Sequence, residues 1–596
     1  MKKIFHFLFL AFVFSSCTVS KNVETIQSTA LIQKSIPRVD KMPNHPKPYL
    51  YRDWKQTAID FDNYIFDFNQ KGEFLPFIWL DSTRRNANQT TFGIYTALGD
   101  RRMGAKINNG ENHEALGALG AVLGATLVGI NKSSNEQLAM RQGLPIASSS
   151  SKLKAKSSKL NYVAMLKNYF ATDNGWNVIQ NFTNEGAHIG GGYGNDFWYE
   201  VHNNVLFYCV ANLYPDEKGF EPIMRTIAEQ FYKSDSVMGK NYSYSFFDFK
   251  NMKPGKNQVP TQEDVAAGYA FILYSAYIKF GDEKYLRAAK NAMDVLYNQK
   301  ENRFYEAMMP LAAYIGARMN VELGTNYDIQ RFLDWTFNGD AVGREGWGII
   351  ADKWGDYDVS GLLGSTVDHG GYGFLMNTFD IMMPLSAMVR YDPRYARAIG
   401  KWALNASNAA RFCYPYDIPD SLQAIPQYKA VTKNVIAYEG IIKGSSYPEF
   451  EGKTPFAQGD GPRWAEGMGK QTMFSVYGSS HVGFFGGTIQ KTNIPEILQI
   501  DCNATDFFKK QTAYPTYLFF NPYDKAQLVI TNVGDHKTDV YDAVSGTFIK
   551  SGERNSIQFV IAPDAARVLV FVPAGSKIKK ENGVLKANGV PINFKN

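Results

Sequence analysis

Between residues 54 and 410 the apolar positions recur at helical spacing. Trp54, Ala58, Phe61, Ile65 and Phe68 form one stripe, which predicts a helix over 54–68. His113 to Ile130 is a second helical stretch, and its alanines and glycines suit tight helix–helix contact. Further helical patterns cover 203–214, 219–233, 264–280, 283–298, 306–318, 371–390 and 393–410. After residue 411 that period fades, and 412–490 reads as loop-rich with many Gly, Pro and aromatic residues. From 497 the text turns to short β-rich runs: Thr516–Phe520, Gln527–Thr531, Thr538–Tyr541, Thr547–Ile549, Ser556–Ile561 and Arg567–Val572. Val533-Gly-Asp-His536 and Val544-Ser-Gly546 read as the turns between them, so an antiparallel β-sandwich is expected here.

A repeat organises the helical part. Phe280-Gly-Asp-Glu-Lys-Tyr-Leu-Arg-Ala288 matches Arg390-Tyr-Asp-Pro-Arg-Tyr-Ala-Arg-Ala398, and Tyr214-Pro-Asp-Glu-Lys-Gly-Phe220 is a weaker copy. Each copy follows one apolar helix and opens another, with Asp282 or Asp392 placed to cap it. The unit is a repeated helical hairpin. The expected fold is mainly α, an (α/α) toroid of helical hairpins over 46–411. A connector over 412–496 lines its cleft, and the β-sandwich spans 497–596.

The chain has 596 residues, 45% hydrophobic and 20% charged, ordinary for a globular protein large enough for more than one core. Aromatic residues reach 14%, which suits large aromatic cores or rings that stack on sugar faces. The net charge of +6 comes without a basic run, so nucleic acid is not an expected partner. At the N-terminus Lys2-Lys3, the apolar run Ile4–Phe14 and Ser15-Ser16-Cys17 have the layout of a signal segment, too short to span a bilayer. Residues 18–45 are polar and read as a tether. Without Cys17 the chain keeps Cys209, Cys413 and Cys502, whose spacing does not resemble a zinc site and which read as buried unpaired thiols or as one disulfide plus one thiol.

Candidate chemistry gathers on histidine, of which there are only eight. Glu185-Gly-Ala-His-Ile-Gly-Gly-Gly-Tyr-Gly-Asn-Asp-Phe-Trp-Tyr-Glu-Val-His-Asn203 is glycine-rich and carries His188, Tyr193, Asn195, Asp196, Glu200, His202 and Asn203. Asp368-His-Gly-Gly-Tyr-Gly373 adds His369 and Tyr372 at the start of another predicted helix. His188, Tyr193, His202, His369 and Tyr372 form the expected acid/base set. Glu185, Asn195, Glu200, Asn203, Arg463 and Trp464 are expected to bind substrate, Arg463 by clamping an acidic group and Trp464 by stacking on a sugar ring. His481, in Tyr477-Gly-Ser-Ser-His-Val-Gly-Phe-Phe485, lies in the connector and is the outlying member. The rival constellation is carboxylic: Glu185, Asp196, Glu200, Glu263-Asp264, Asp356 and Asp358 supply candidates for a two-carboxylate hydrolysis. No compact His/carboxylate helix motif, P-loop or dinucleotide fingerprint is present, so neither a metal nor a cofactor is expected.

The leader resembles a bacterial lipoprotein signal of the Bacteroidetes type, with Phe14 where leucine is usual and Cys17 as the lipidated residue. Thr18-Val-Ser-Lys-Asn22 lacks the acidic run of surface-displayed relatives, which implies an anchor in the outer membrane facing the periplasm. With the hairpin repeat, the Gly/His/Tyr loops and the C-terminal β-region, residues 46–575 resemble enzymes of Bacteroidetes polysaccharide-utilisation loci. Within these they are most similar to the α/α-toroid glycosidases and polysaccharide lyases that process uronic-acid oligosaccharides. The resemblance implies an anionic oligosaccharide substrate and partner enzymes acting before or after it in the same degradation. It points to an elimination at C4 of a uronate, as in the dehydratases of ulvan degradation or in lyases. An inverting β-glucuronidase is the alternative within the class, and a noncatalytic glycan-binding lipoprotein the alternative outside it.

Overall fold

The computed structural model describes residues 30–594, apart from 83, 101–113, 135–159, 184–195, 446, 464–468 and 511. The principal helices are α1 (Trp54–Ile65), α2 (Ala115–Leu127), α3 (Phe197–Leu213), α4 (Phe220–Met238), α5 (Val265–Phe280) and α6 (Glu283–Asn298). They continue with α7 (Met309–Glu322), α8 (Ile329–Phe337), α9 (Leu375–Asp380), α10 (Met382–Tyr391), α11 (Ala396–Ala410) and α12 (Gly483–Thr488).

Six of them contact one another in a closed succession: α2, α3, α5, α7, α10, α12 and back to α2. Their sequences explain the position. Every residue of α2 is buried, and α3, α5 and α7 are buried on nearly all sides. A helix apolar all round belongs inside. The one-sided helices pack outside this ring: α1 against α2 and α12, α4 and α6 against α5, and α8 against α7; α11, buried over nearly its whole length, packs against α10.

The repeat is partly a capping device. Asp282 accepts a hydrogen bond from the Lys284 N–H and caps α6 as expected. Asp392 makes no such bond; the Arg394 guanidinium grips both of its carboxylate oxygens at 2.6 Å instead. In the weaker copy the cap of α4 is Gly219, at φ 90°, and not an aspartate.

Five short strands form an antiparallel sheet beside the ring: β1 (Trp347–Ile349), β2 (Leu363–Ser365), β3 (Tyr372–Phe374), β4 (Gly440–Ile442) and β5 (Phe456–Gln458), in the order β5-β4-β3-β2-β1. The helix expected over 371–390 is therefore strand β3 followed by α9 and α10.

The C-terminal region differs from the expected row of short strands. It holds β6 (Ile489–Lys491), β7 (Leu498–Asp501), β8 (Thr516–Asn521), β9 (Gln527–Asp542), β10 (Thr547–Ile561) and β11 (Ala565–Pro573), ordered β6-β7-β8-β11-β9-β10. The runs read separately at 527–531 and 538–541 are one strand, and so are 547–549 and 556–561. The supposed turn at Val533–His536 is a stretch of shifted register within the β9–β10 ladder. Bulges of this kind bend strands without ending them. Alternation sends Leu518, Phe520, Val568 and Val570 into the core shared with the helices. Phe519, Leu569 and Phe571 join Val529, Ile557 and Phe559 in a second core under the bent sheet.

Residues 30–45, expected as part of a tether, are packed. Ile36 and Val39 are fully buried, and Arg38 donates to the Ile349 carbonyl. Cys209, Cys413 and Cys502 are buried free thiols, which decides against the alternative of one disulfide plus one thiol. No helix among the described residues is long and apolar enough to cross a membrane.

Candidate functional site

The N-terminal ends of the ring helices and the sheet loops converge on one polar layer. Glu114 precedes α2, Asp196 and Tyr199 open α3, and Tyr305 and Glu306 precede α7. Tyr372 comes from β3, Glu439 from the residue before β4, and Tyr477 from the helical turn Val476–Ser479. Tyr199 lies within electrostatic reach of Glu114, Asp196, Glu439 and Tyr305, and Tyr477 within reach of Glu439, Tyr199, Tyr372 and Glu114.

Glu439 sits at the centre and is only 9% exposed. Its backbone is fixed on both sides, with Leu375 N–H donating to its carbonyl at 3.0 Å and its own N–H donating to Met473 O at 3.1 Å. The Tyr477 hydroxyl donates to Oε1 at 3.1 Å, and the Asp460 N–H donates to Oε2 at 2.7 Å. Burial, followed by the charge of Asp460, pushes the Glu439 carboxyl up to about 8; those two hydrogen bonds and Arg344 offset part of the rise. The phenols of Tyr199, Tyr372 and Tyr477 are driven well above their usual range, first by burial and then by the acids around them. Near neutral pH the layer therefore holds a protonated carboxylic acid and three protonated phenols beside Asp460, which is exposed.

Arg344 bounds the layer on one side. Its guanidinium lies 3.6 Å from the Trp347 ring centroid and pairs with Glu306, which also accepts from Asn377 Nδ2. The Trp347 indole N–H donates to the Glu306 carbonyl at 2.9 Å.

A second layer lies one helical turn deeper. On α3, His202 follows Tyr199 by three residues; on α9, Asp380 follows Asn377 by three; His481 follows Tyr477 by four. Such spacings put each pair on one face. His202 Nε2 is 3.2 Å from Asp380 Oδ2, His481 Nδ1 is hydrogen-bonded to Asp380 Oδ1, and His481 Nε2 is 3.2 Å from the Leu116 carbonyl. Burial alone would raise the Asp380 carboxyl, but the two imidazoles bring it down to about 2. The glycines of α2 make room for this layer: a Cβ at Gly120 would stand 2.4 Å from the His481 ring, and one at Gly117 would touch Tyr477.

The expected acid/base residues are thus dispersed. His202 is buried in the deeper layer, on a helix that begins six residues before the predicted start at 203. Tyr372 is in the upper layer. His369 is in neither: at φ 50° in a tight turn, it faces Asp368 at 3.4 Å and stays partly exposed. Glu200 turns away from the layer, its Oε2 accepting from Phe247 N–H at 2.9 Å, and burial holds its carboxyl well above the usual range. Asn203 is fully buried and donates to Asn181 at 3.3 Å, so it reaches no surface. Among the rival carboxylates, Asp196 joins the layer and is held by Gln262 at 2.6 Å. Asp264 is buried and accepts from the Tyr305 N–H, and Asp356 and Asp358 belong to a separate hairpin region. Arg463 ends a short turn at 461–463. Glu185, His188, Tyr193, Asn195, Trp464 and Cys17 lie outside the described residues.

Sequence reasoning missed Glu439, Asp460 and Tyr477 as a group, and Asp380. None carries a local motif; Asp380 is 178 residues from His202 and 101 from His481. Only His481, noted as an outlier, pointed there. A separate surface pocket, lined by Glu322, Arg390, Lys509, Glu581 and Lys586, lies at the C-terminal ends of α7 and α10. Three of its cations are already engaged: Arg390 with Asp506, Lys509 with the Asp506 carbonyl, and Lys586 with Glu581.

No family model matches the chain, and no curated protein matches it. Among solved structures it superposes on a GH127 β-L-arabinofuranosidase from Geobacillus stearothermophilus T6 with 11% identity and a TM-score of 0.34, over 95% of this chain and 86% of that one. A GH127 β-arabinofuranosidase gives 10% identity and a TM-score of 0.33, over 92% and 81% of the two chains. A protein described as a glycoside hydrolase gives 10% and 0.33, over 86% and 83%. At TM-scores this low the chain paths diverge, and no activity transfers from these proteins to this one.

Proposed function

We propose that the chain is a carbohydrate-active enzyme that cleaves a glycosidic bond, with Glu439 as proton donor and Asp460 as base. The observation that carries this reading is the Glu439 carboxyl, pushed to about 8 beside Asp460 and ringed by the Tyr199, Tyr372 and Tyr477 phenols. A buried carboxyl that holds its proton beside a second, exposed carboxyl suits acid/base cleavage of an acetal. Glu439 gives its proton to the leaving oxygen as the C1–O bond breaks. Water adds at C1, and its proton passes to Asp460. Aromatic rings suit the faces of sugars, and Arg344, held by Glu306, borders the layer. The closed succession of six helices with outer helices against it is read here as an α/α toroid, with the site at its N-terminal rim. Partial positive charge from the helix ends at that rim favours an anionic oligosaccharide.

Elimination at C4 of a uronate, by dehydratase or lyase action, is the second reading. It is favoured by the Tyr372 and Tyr477 phenols near Glu439, which could take up and return a proton. In that reading Tyr372 remains from the expected acid/base set, while His202 is buried beneath the layer and His369 lies outside it.

Incubation with uronate-containing oligosaccharides separates these readings. New reducing ends without the ultraviolet absorbance of a conjugated enoate support hydrolysis; that absorbance supports elimination and overturns the first reading. Glu439→Gln is expected to lower kcat at least ~100-fold while leaving binding intact. Binding without turnover by the unaltered protein on every uronate glycan would make it a glycan-binding lipoprotein instead.

Lipidation at Cys17 and an outer-membrane anchor facing the periplasm belong to the same proposal. In a bacterial host that processes lipoproteins, Cys17→Ala is expected to abolish incorporation of labelled palmitate. Equal labelling of the variant would refute the anchor.

A further inference from the structure

The deeper layer has a feature that acid/base cleavage does not use. His202, Asp380 and His481 are at most 3% exposed and come from three separate segments, α3, the end of α9 and the turn Ser480–Val482. Both imidazoles direct a nitrogen at the same carboxylate, His202 Nε2 to one oxygen and His481 Nδ1 to the other. The three donor atoms lie within 4.8 Å of one another.

The far side of His481 fixes its proton. His481 Nε2 meets the Leu116 carbonyl at 3.2 Å, and a carbonyl only accepts, so Nε2 carries the hydrogen. In the neutral ring Nδ1 then presents a lone pair, and it presents it to an anionic oxygen. Lone pair against lone pair is repulsive, most of all where no water reaches. Three arrangements remove the conflict: a second proton on the ring, making a buried imidazolium, a proton on the Asp380 carboxyl, or a cation among the three donors. Among the described residues His202 Nδ1 has no hydrogen-bond partner, so one ring nitrogen of this buried layer is left unpaired.

Two imidazoles and one carboxylate form a familiar donor set for zinc. An imidazole whose other nitrogen donates to a backbone carbonyl is the usual outer support of such a site. The chain keeps room for the ring: any side chain at Gly120 would collide with His481 Cδ2 and Nε2 at 2.4 Å. The rings lie face to face, 6.4 Å between centroids with 23° between planes, so both nitrogens address one edge of Asp380.

We propose that His202 Nε2, His481 Nδ1 and Asp380 bind a divalent transition-metal ion, with Zn²⁺ the ion that this donor set suits. Three chain ligands leave one tetrahedral position for a small ligand such as water. The ion pins α3, α9 and the 480–482 turn together, one turn below Tyr199, Asn377 and Tyr477, and so sets the height of the acid/base layer. These three ligands act as positioning residues.

The test uses the full chain, stripped with a chelator and then titrated with Co²⁺ and Zn²⁺. Expected are one ion per chain, the intense visible absorption of a nitrogen-ligated tetrahedral Co²⁺ centre, and a rise in Tm on adding Zn²⁺. His202→Gln and His481→Gln, checked for fold by circular dichroism, are each expected to weaken binding at least ~10-fold. If either variant fails to fold, the Co²⁺ spectrum of the unaltered protein decides alone. The proposal is overturned if the folded protein takes up no ion, if its Co²⁺ spectrum is that of an octahedral oxygen site, or if folded variants bind as tightly as the parent.

Discussion

Glu439 shows how far a single residue can depart from what its neighbours in sequence suggest. Ala437-Tyr-Glu-Gly440 has no motif, and nothing in it announces a carboxyl that keeps its proton to about pH 8. The shift comes from burial and from Asp460, and both exist only after folding. The sign of its effect on stability follows. The folded state holds the Glu439 proton to about pH 8, while the unfolded chain releases it near 4.5. Between those values the folded state binds more protons, so stability falls as pH rises across that window and levels off above it. Asp264, raised from 3.8 to about 8 by burial, acts in the same direction. Urea midpoints measured from pH 5 to 9 should therefore decline with pH, and Glu439→Gln should flatten part of the decline; a variant with the parent's full slope would contradict the assignment. Activity has its own sign, because a proton donor works only while protonated: kcat is expected to fall as pH rises through about 8.

At the scale of elements, glycine spacing in α2 was legible and its purpose was not. The alanines and glycines of 113–130 signalled close packing, but Gly117, Gly120 and Gly124 turn out to receive Tyr477, His481 and Gly483 in register. Gly120→Ala is expected to destabilise the protein by about 1–3 kcal/mol, the usual range for overpacking. Gly483→Ala should cost more, because its Cβ would meet the Gly124 backbone at 2.1 Å and no side chain there can rotate away. Chemical denaturation measures both, and near-parent stability for either would show that the helices do not cross this closely. The Asp282 cap was correctly read, and Asp282→Ala should cost on the order of 1 kcal/mol. The start of α3 was misplaced because its glycine-rich approach drew the loop as far as His202. Phe197, Trp198 and Val201 already carry the buried face of that helix. In the sheet, the long β9–β10 ladder was cut into pieces because Val533-Gly-Asp-His536 has turn composition; bulged pairing absorbs it.

At the scale of the whole molecule, helices and sheet share one core. Phe520 of β8 lies against Gly400 of α11, where an added Cβ would come within 2.5 Å of its side chain, and Leu518, Val568 and Val570 face the same interior. Residues 30–45 run across the same assembly, Leu31 bonding to Val544 and Arg397 joining Asp40 to Asp564. The helical and β regions are therefore expected to unfold together; two well-separated calorimetric transitions would show independent units. The sequence by itself determined the helical succession, the change to β structure near 497 and the hairpin repeat. Periodicity, capping and turn chemistry are local and survive in a one-dimensional text. Only the tertiary structure decided the site. It set Glu439 beside Asp460 and Tyr477, stacked His202, Asp380 and His481 beneath them, and left His369 aside. Those neighbours lie tens to hundreds of residues apart, and the properties that matter there, a displaced proton affinity and a shared set of donors, arise from burial and proximity that no local pattern encodes.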